Sequence, residues 1–141
     1  MSTPNAVATS TRQHENAELI RRGYAAFNTA DVDALMAIFD EKSSWHTPGR
    51  STIAGDRTGR DAVFAQFGRY GGETAGTFRA ELQYITSDDE GRVVGVHRNT
   101  GERGGKQLSV DCCIVFEIKD GRIIDGREYF FDLNAWDTFW S

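Results

Sequence analysis

The order of periodicities along the chain predicts an α+β fold, a curved, cone-shaped antiparallel sheet wrapped around three N-terminal helices. Apolar residues recur at steps of three and four through the first half of the chain. From Thr77 the period changes to two and holds through four long runs separated by Gly- and Asp-rich turns. Helices gathered on one face of such a sheet define the α+β class. A long sheet twisted strongly around helices curls, and the end the helices leave open forms a cleft suited to a small ligand.

The first helix is expected from about Gln13 to Asn28, with Ala17, Ile20, Tyr24 and Phe27 on one stripe. Gly23 costs that helix about 1 kcal/mol against Ala, which points to a close approach to the backbone there. Asp31 caps a second helix that turns Leu35, Ile38 and Phe39 inward. A short strand, Ser44 to Thr47, and a loop broken by Pro48, Gly49, Gly55 and Gly59 follow. Thr58 with Asp61 resembles a capping box that opens a third helix carrying Val63, Phe64 and Phe67, which ends at Gly71-Gly72. Phe78, Ala80, Leu82 and Tyr84 then alternate with polar residues along the first long strand. The second reaches about Thr100, the third spans Leu108 to Ile118, and Asp120-Gly121 makes a hairpin into Ile123–Phe131. Trp136, Phe139 and Trp140 give a last short helix.

With 141 residues and 39% hydrophobic content, the chain suits one globular domain with a sizeable core. A net charge of −5 argues against a nucleic-acid partner, which needs a basic face. No run approaches the ~18 apolar residues of a spanning helix, so no membrane partner is expected. Cys112 and Cys113 are the two cysteines; adjacent residues close a disulfide only with distortion, so they are expected as reduced core residues of a cytoplasmic protein. Residues 1–12 lack a cationic start and an apolar stretch, so they read as a loose arm before a single domain over 13–141, and not as a secretory signal.

The phrases IRRGYAAFNTADVDALMAIF, GRDAVFAQF and CCIVFEIKDGRIIDGREYFFDLNAW together resemble the SnoaL-like branch of the nuclear transport factor 2-like superfamily. That superfamily includes ketosteroid isomerases, limonene epoxide hydrolases and polyketide cyclases, and its cone is also called cystatin-like. The resemblance covers roughly residues 13–140 and implies a fold more strongly than a reaction. Where ketosteroid isomerases carry a general-base Asp before a Pro, this chain has Thr47 before Pro48. Their oxyanion Tyr falls at Gly23 and their oxyanion Asp near Ile114, so that machinery is missing. Of the limonene epoxide hydrolase set, one carboxylate is retained as Glu128 in Gly126-Arg127-Glu128-Tyr129-Phe130-Phe131-Asp132. The other positions read His97, Gly95, Trp45 and Thr47.

The residues propose a site of their own. Ile124, Gly126, Glu128, Phe130 and Asp132 share one face of the last strand, and Gly95, His97 and Asn99 share one face of an earlier strand. A carboxylate among apolar neighbours needs a partner. His97 and Glu128 are therefore expected to meet inside the cone and to act as proton carriers on a hydrophobic ring compound, without a cofactor or metal. The expected reaction classes are isomerisation, cyclisation and hydrolysis. The alternatives are a structural Glu–His pair and a non-catalytic binding protein for an apolar ligand. Tyr24, Trp45, Thr47, Phe116, Phe130 and Asp132 are the expected ligand-contacting residues, with helix capping as the other role open to Asp132. His46 alternates away from the cone and His14 is expected in solvent. The outer sheet face, with Asp111, Cys113, Val115 and Glu117, is expected to form a homodimer.

Overall fold

A computed structural model describes the backbone of residues 4–141 and the side chains of residues 11–141. Its elements follow in the order α1 (Pro4–Asn28), α2 (Val32–Ile38), β1 (Phe39–Thr47), β2 (Gly55–Thr58), α3 (Arg60–Gly72), β3 (Arg79–Ser87), β4 (Arg92–Arg103), β5 (Lys106–Lys119), β6 (Arg122–Phe130) and α4 (Leu133–Trp140). The six strands form one sheet in the order β2-β1-β6-β5-β4-β3. The α+β cone expected from the periodicities is present, with several corrections.

The sheet is mixed rather than wholly antiparallel. β1 runs parallel to β6, reached only after α3 and three strands have intervened. A parallel neighbour needs such a long crossover. The other strand pairs are antiparallel. β1 begins at Phe39, ahead of the expected Ser44, and β2 falls where a loop was expected. α1 begins at Pro4, so most of the expected arm is helical; Met1 to Thr3 lie outside the described residues.

The helix starts show which polar residues cap. Asp31 accepts from the Ala34 N–H at 3.1 Å, as its position suggests. Thr58 does not cap α3: it is held in the β2 ladder opposite Ser44, and Gly59, at φ 92°, occupies the cap without a side-chain bond. Asp132 caps α4 by accepting from the Ala135 N–H at 3.0 Å.

Alternation runs unbroken along β5, where Leu108, Val110, Cys112, Ile114 and Phe116 are buried on the inner face. Irregular pairing resets it elsewhere. A register shift between Leu82 and Tyr84 turns Tyr84 outward, 56% exposed, and brings Ile85 against the core. A second shift, at Glu117/Ile118, buries Ile123 in place of the expected Ile124. The β5–β6 turn has Asp120 and Gly121 both at positive φ, 52° and 75°, which matches the right-handed twist of the strands it joins.

The core divides in two. One cluster, around Ile20, Tyr24, Phe39, Trp45, Ile114 and Phe116, lies between the sheet, α1 and α3. The other, around Tyr70, Phe78, Trp136 and Trp140, closes the end of the cone beneath α4. Arg103 and Lys106, on the β4–β5 hairpin, donate to the Ser141 carbonyl at 3.0 and 2.8 Å. These cations complement the C-terminal end of the helix dipole.

Candidate functional site

The first core cluster is not solid. It surrounds a cavity of about 60 Å3 whose walls are mostly Phe, Ile, Leu and Trp side chains. Two polar groups break that lining.

The first is built on β4. Gly95 lies beneath the Tyr24 ring, and a Cβ there would stand 2.7 Å from the Tyr24 hydroxyl. The glycine therefore lets Tyr24 of α1 lie directly over the strand. The Tyr24 hydroxyl meets His97 Nδ1 at 2.7 Å, and His97 Nε2 meets Asn99 Oδ1 at 2.9 Å. An amide oxygen only accepts, so Nε2 carries the proton and Nδ1 accepts from Tyr24. Both side chains on the strand are buried, His97 at 2% and Asn99 at 1% exposure. Burial lowers the His97 pKa to about 4, against the opposing pull of Asn99, so the imidazole is neutral at pH 7. Burial likewise raises the Tyr24 hydroxyl well above its ordinary value.

The second group is built on β6. A Cβ at Gly126 would collide with the Trp45 ring, so this glycine allows Trp45 of β1 to lie flat on the sheet. From there the indole donates to Glu128 Oε1 at 2.9 Å. Thr47 and Tyr70 donate to the same oxygen at 2.6 and 2.7 Å. Among the described residues no group donates to Oε2. Burial raises the Glu128 pKa, while the three donors pull the other way. Gln66 of α3 supports the group, donating to the Ile53 carbonyl at 2.8 Å, to the Tyr70 oxygen at 3.2 Å and to the Thr47 oxygen at 3.3 Å.

Strand register relates the two groups. Gly95 pairs with Ile114, and Ile114 pairs with Glu128. Tyr24, resting over Gly95, thus faces Glu128 across Ile114, with roughly 10 Å between the outer backbones at the usual strand spacing. A hydroxyl and a carboxyl are held on opposite sides of a hydrophobic floor.

A model of the SnoaL-like domain matches residues 20–126. The chain belongs to the SnoaL-like family. It is 32% identical over 124 residues to an uncharacterized protein of Mycobacterium tuberculosis, which covers 88% of this chain and 95% of that one. Bal32a, from a soil-derived mobile gene cassette, is 66% identical with a TM-score of 0.91, over 92% of this chain and 98% of that one. TerC, co-crystallized with polyporic acid, shares the fold at 19% identity and a TM-score of 0.77, over 89% of this chain and 97% of that one.

The expected site residues of this SnoaL-like chain separate into groups. Tyr24, Trp45, His97, Phe116 and Glu128 line the cavity, and Thr47 stands behind Glu128 as a donor. His97 and Glu128 do not bond to each other. Their strands are separated by β5, and each has taken other partners. Phe130 does not line the cavity: it stacks on Trp136 at 3.9 Å between ring centroids, because α4 folds over that end of β6. Asp132 is not in the cavity either, being occupied as the α4 cap. Gly23 lines the cavity, but nothing lies within 4 Å of a Cβ placed there, so the glycine leaves a space and does not admit a neighbour. His46 faces outward between Asp56 at 2.7 Å and Asp125 at 2.6 Å.

Sequence reasoning missed Tyr70 and Gln66, which reach Glu128 and its donors from α3. It placed Asn99 on the right face without giving it a role. One available signal was a glycine in each of the two strands at the level of an aromatic residue, Gly95 for Tyr24 and Gly126 for Trp45.

Proposed function

We propose that this SnoaL-like protein holds a small, mostly apolar molecule in the cavity and moves a proton on it without a cofactor. The carriers are Glu128 and the Tyr24–His97 pair. The observation that carries this reading is a buried carboxyl facing a buried hydroxyl–imidazole pair across an apolar floor. Acid–base catalysis of an isomerisation uses a proton donor and a proton acceptor held on opposite sides of the ligand.

Burial favours the acid form of Glu128, and its three donors occupy Oε1, which leaves Oε2 to carry the proton. Glu128 gives that proton to the ligand on one side. On the other side Tyr24 oxygen takes a proton from the ligand while passing its own to His97 Nδ1. The ligand is isomerised, and a carboxylate and an imidazolium remain. The low proton affinity of buried His97 drives its proton back through Tyr24 to water, and Glu128 takes up another, which resets the site.

A binding protein without chemistry is the second reading. It is favoured by one observation, that both His97 ring nitrogens already have protein partners. Incubation with a bacterial metabolite extract, followed by mass spectrometry, separates the two. The enzyme reading expects wild type to consume a compound that Glu128→Gln and His97→Gln bind but leave unchanged. Retention by wild type with no product at any time supports the binding reading and overturns the first.

A homodimer through the outer sheet face is part of the proposal. Tyr84, Val96, Cys113 and Tyr129 pair in sequence across four strands of that face. Tyr84 and Tyr129 are 56% and 49% exposed, an apolar row of the kind a partner covers. Sedimentation of wild type as a dimer and of Tyr129→Lys as a monomer is expected; a monomeric wild type contradicts it.

A further inference from the structure

We propose that Asn99 is the group that reads the ligand, and that the ligand is a neutral molecule presenting a hydrogen-bond-acceptor oxygen to it. This rests on the cavity being a binding site and goes beyond it by naming the recognising atom and the ligand chemistry.

Asn99 lines the cavity and is 1% exposed. Its Oδ1 is taken by His97 Nε2. Its Nδ2, with two hydrogens to donate, has no hydrogen-bond partner among the described residues. The Cys112 thiol lies beside the amide and feels its N–H dipole, but sulfur is a weak acceptor and the pair does not reach the geometry of a full hydrogen bond. A buried amide donor without a partner destabilises the fold until something accepts from it. Rotating the amide relieves Nδ2 only if the imidazole takes its other tautomer, with Nδ1 donating to Tyr24, and it then leaves Oδ1 in the place of Nδ2. An acceptor oxygen entering the cavity relieves Nδ2.

The charge of the ligand follows from the lining. Among the described residues no Lys or Arg lines the cavity, His97 is neutral, and Glu128 is the one acidic side chain there. An anion would enter with no countercharge and beside a carboxyl. An ammonium would meet Glu128 but could offer nothing to the Asn99 donor. A neutral ring compound with a carbonyl, ether or hydroxyl oxygen satisfies Nδ2 and leaves the rest of its surface against Phe and Ile.

Four probes of similar size test this on the intact protein, with binding followed by 1H–15N NMR: ethylbenzene, acetophenone, phenol and benzoate. Acetophenone is expected to bind about tenfold more tightly than ethylbenzene, the net worth of one well-made hydrogen bond. It is also expected to move the Asn99 side-chain amide resonances, and benzoate is expected not to bind. Asn99→Asp, which keeps an acceptor for His97 Nε2 and removes the donor, is expected to abolish the acetophenone advantage and leave ethylbenzene unchanged. Should that variant not fold, the wild-type Asn99 resonances carry the test alone. Equal binding of the three neutral probes with still Asn99 resonances overturns the role of Asn99 while the cavity remains a binding site. Tightest binding by benzoate overturns the charge argument. Tightest binding by phenol, with loss in Asn99→Asp, means the amide presents its oxygen and overturns the donor assignment. Binding of none of the four overturns the binding reading as well.

Discussion

The two ends of the cone are built from the same kinds of side chain and behave differently. At one end Trp45, Phe39, Phe67 and Phe116 surround a cavity, and the Trp45 indole N–H is given to Glu128. At the other, Trp136, Trp140 and Phe139 fill the space beneath α4, and among the described residues the indole N–H groups of Trp136 and Trp140 have no partner. Aromatic content therefore does not mark a site here. What distinguishes the hollow end is a carboxyl and an imidazole drawn inside and three glycines that make room, Gly23, Gly95 and Gly126. The solid end contributes stability, and the hollow end is where we propose the ligand is held.

That contrast can be broken most forcefully at the solid end. Trp136→Ala removes a fully buried ring stacked on Phe130 and is expected to cost about 3–5 kcal/mol in urea unfolding, as other large-to-small core changes do. Ligand affinity of the folded fraction should stay within about twofold, since Trp136 does not touch the cavity. Glu128→Ala at the hollow end is expected to cost about 3 kcal/mol or more by leaving Trp45, Thr47 and Tyr70 without their common acceptor. Glu128→Gln keeps an acceptor and should cost less while stopping turnover. Equal stability losses in these two variants would show that the donors do not depend on that oxygen.

Acid sharpens the contrast through His97. Its pKa of about 4 in the fold lies below the unfolded value of 6.5. Between those values the unfolded chain binds the extra proton, so stability rises with pH, is complete above about 6.5 and is lost as pH falls toward 4. The window corresponds to about 3 kcal/mol. Glu128, with its raised pKa, contributes in the opposite sense, its stabilisation fading as pH climbs above 4.5. Subtracting the pH–stability curve of His97→Gln from that of wild type isolates the histidine, and a flat difference curve would contradict its placement.

Smaller effects come from Gly23 and Asp132. Gly23→Leu sends a side chain into open space and should abolish binding of ethylbenzene, while helix propensity gives back up to about 1 kcal/mol. Asp132→Ala should lose about 1 kcal/mol with the α4 cap and leave ligand affinity unchanged, which binding calorimetry would check.

Much of the hollow end was legible in the sequence because strand alternation is a local rule. Period two alone put Glu128, His97, Asn99 and Trp45 on the inner face, and helical spacing did the same for Tyr24. The errors arose where a residue's environment depends on distant chain. The shift at Glu117/Ile118 exchanged Ile124 for Ile123, and the shift after Leu82 turned Tyr84 out. Phe130 has the right alternation, but α4 places Trp136 over it. Tyr70 reaches Glu128 only because α3 docks beside β1, and no pattern within α3 announces it. His97 and Glu128 were expected as partners from their types alone, whereas the strand order interposes β5.

Glu128 is a carboxyl buried in the wall of an apolar cavity, which we propose a small neutral molecule occupies. Carbon-13 NMR of the Glu128 carboxyl through a pH titration, with and without ethylbenzene, tests this directly. The account expects a midpoint above the ordinary 4.5, moving further up when ethylbenzene displaces water from beside the carboxyl. A midpoint at or below 4.5 that ignores ethylbenzene would contradict it.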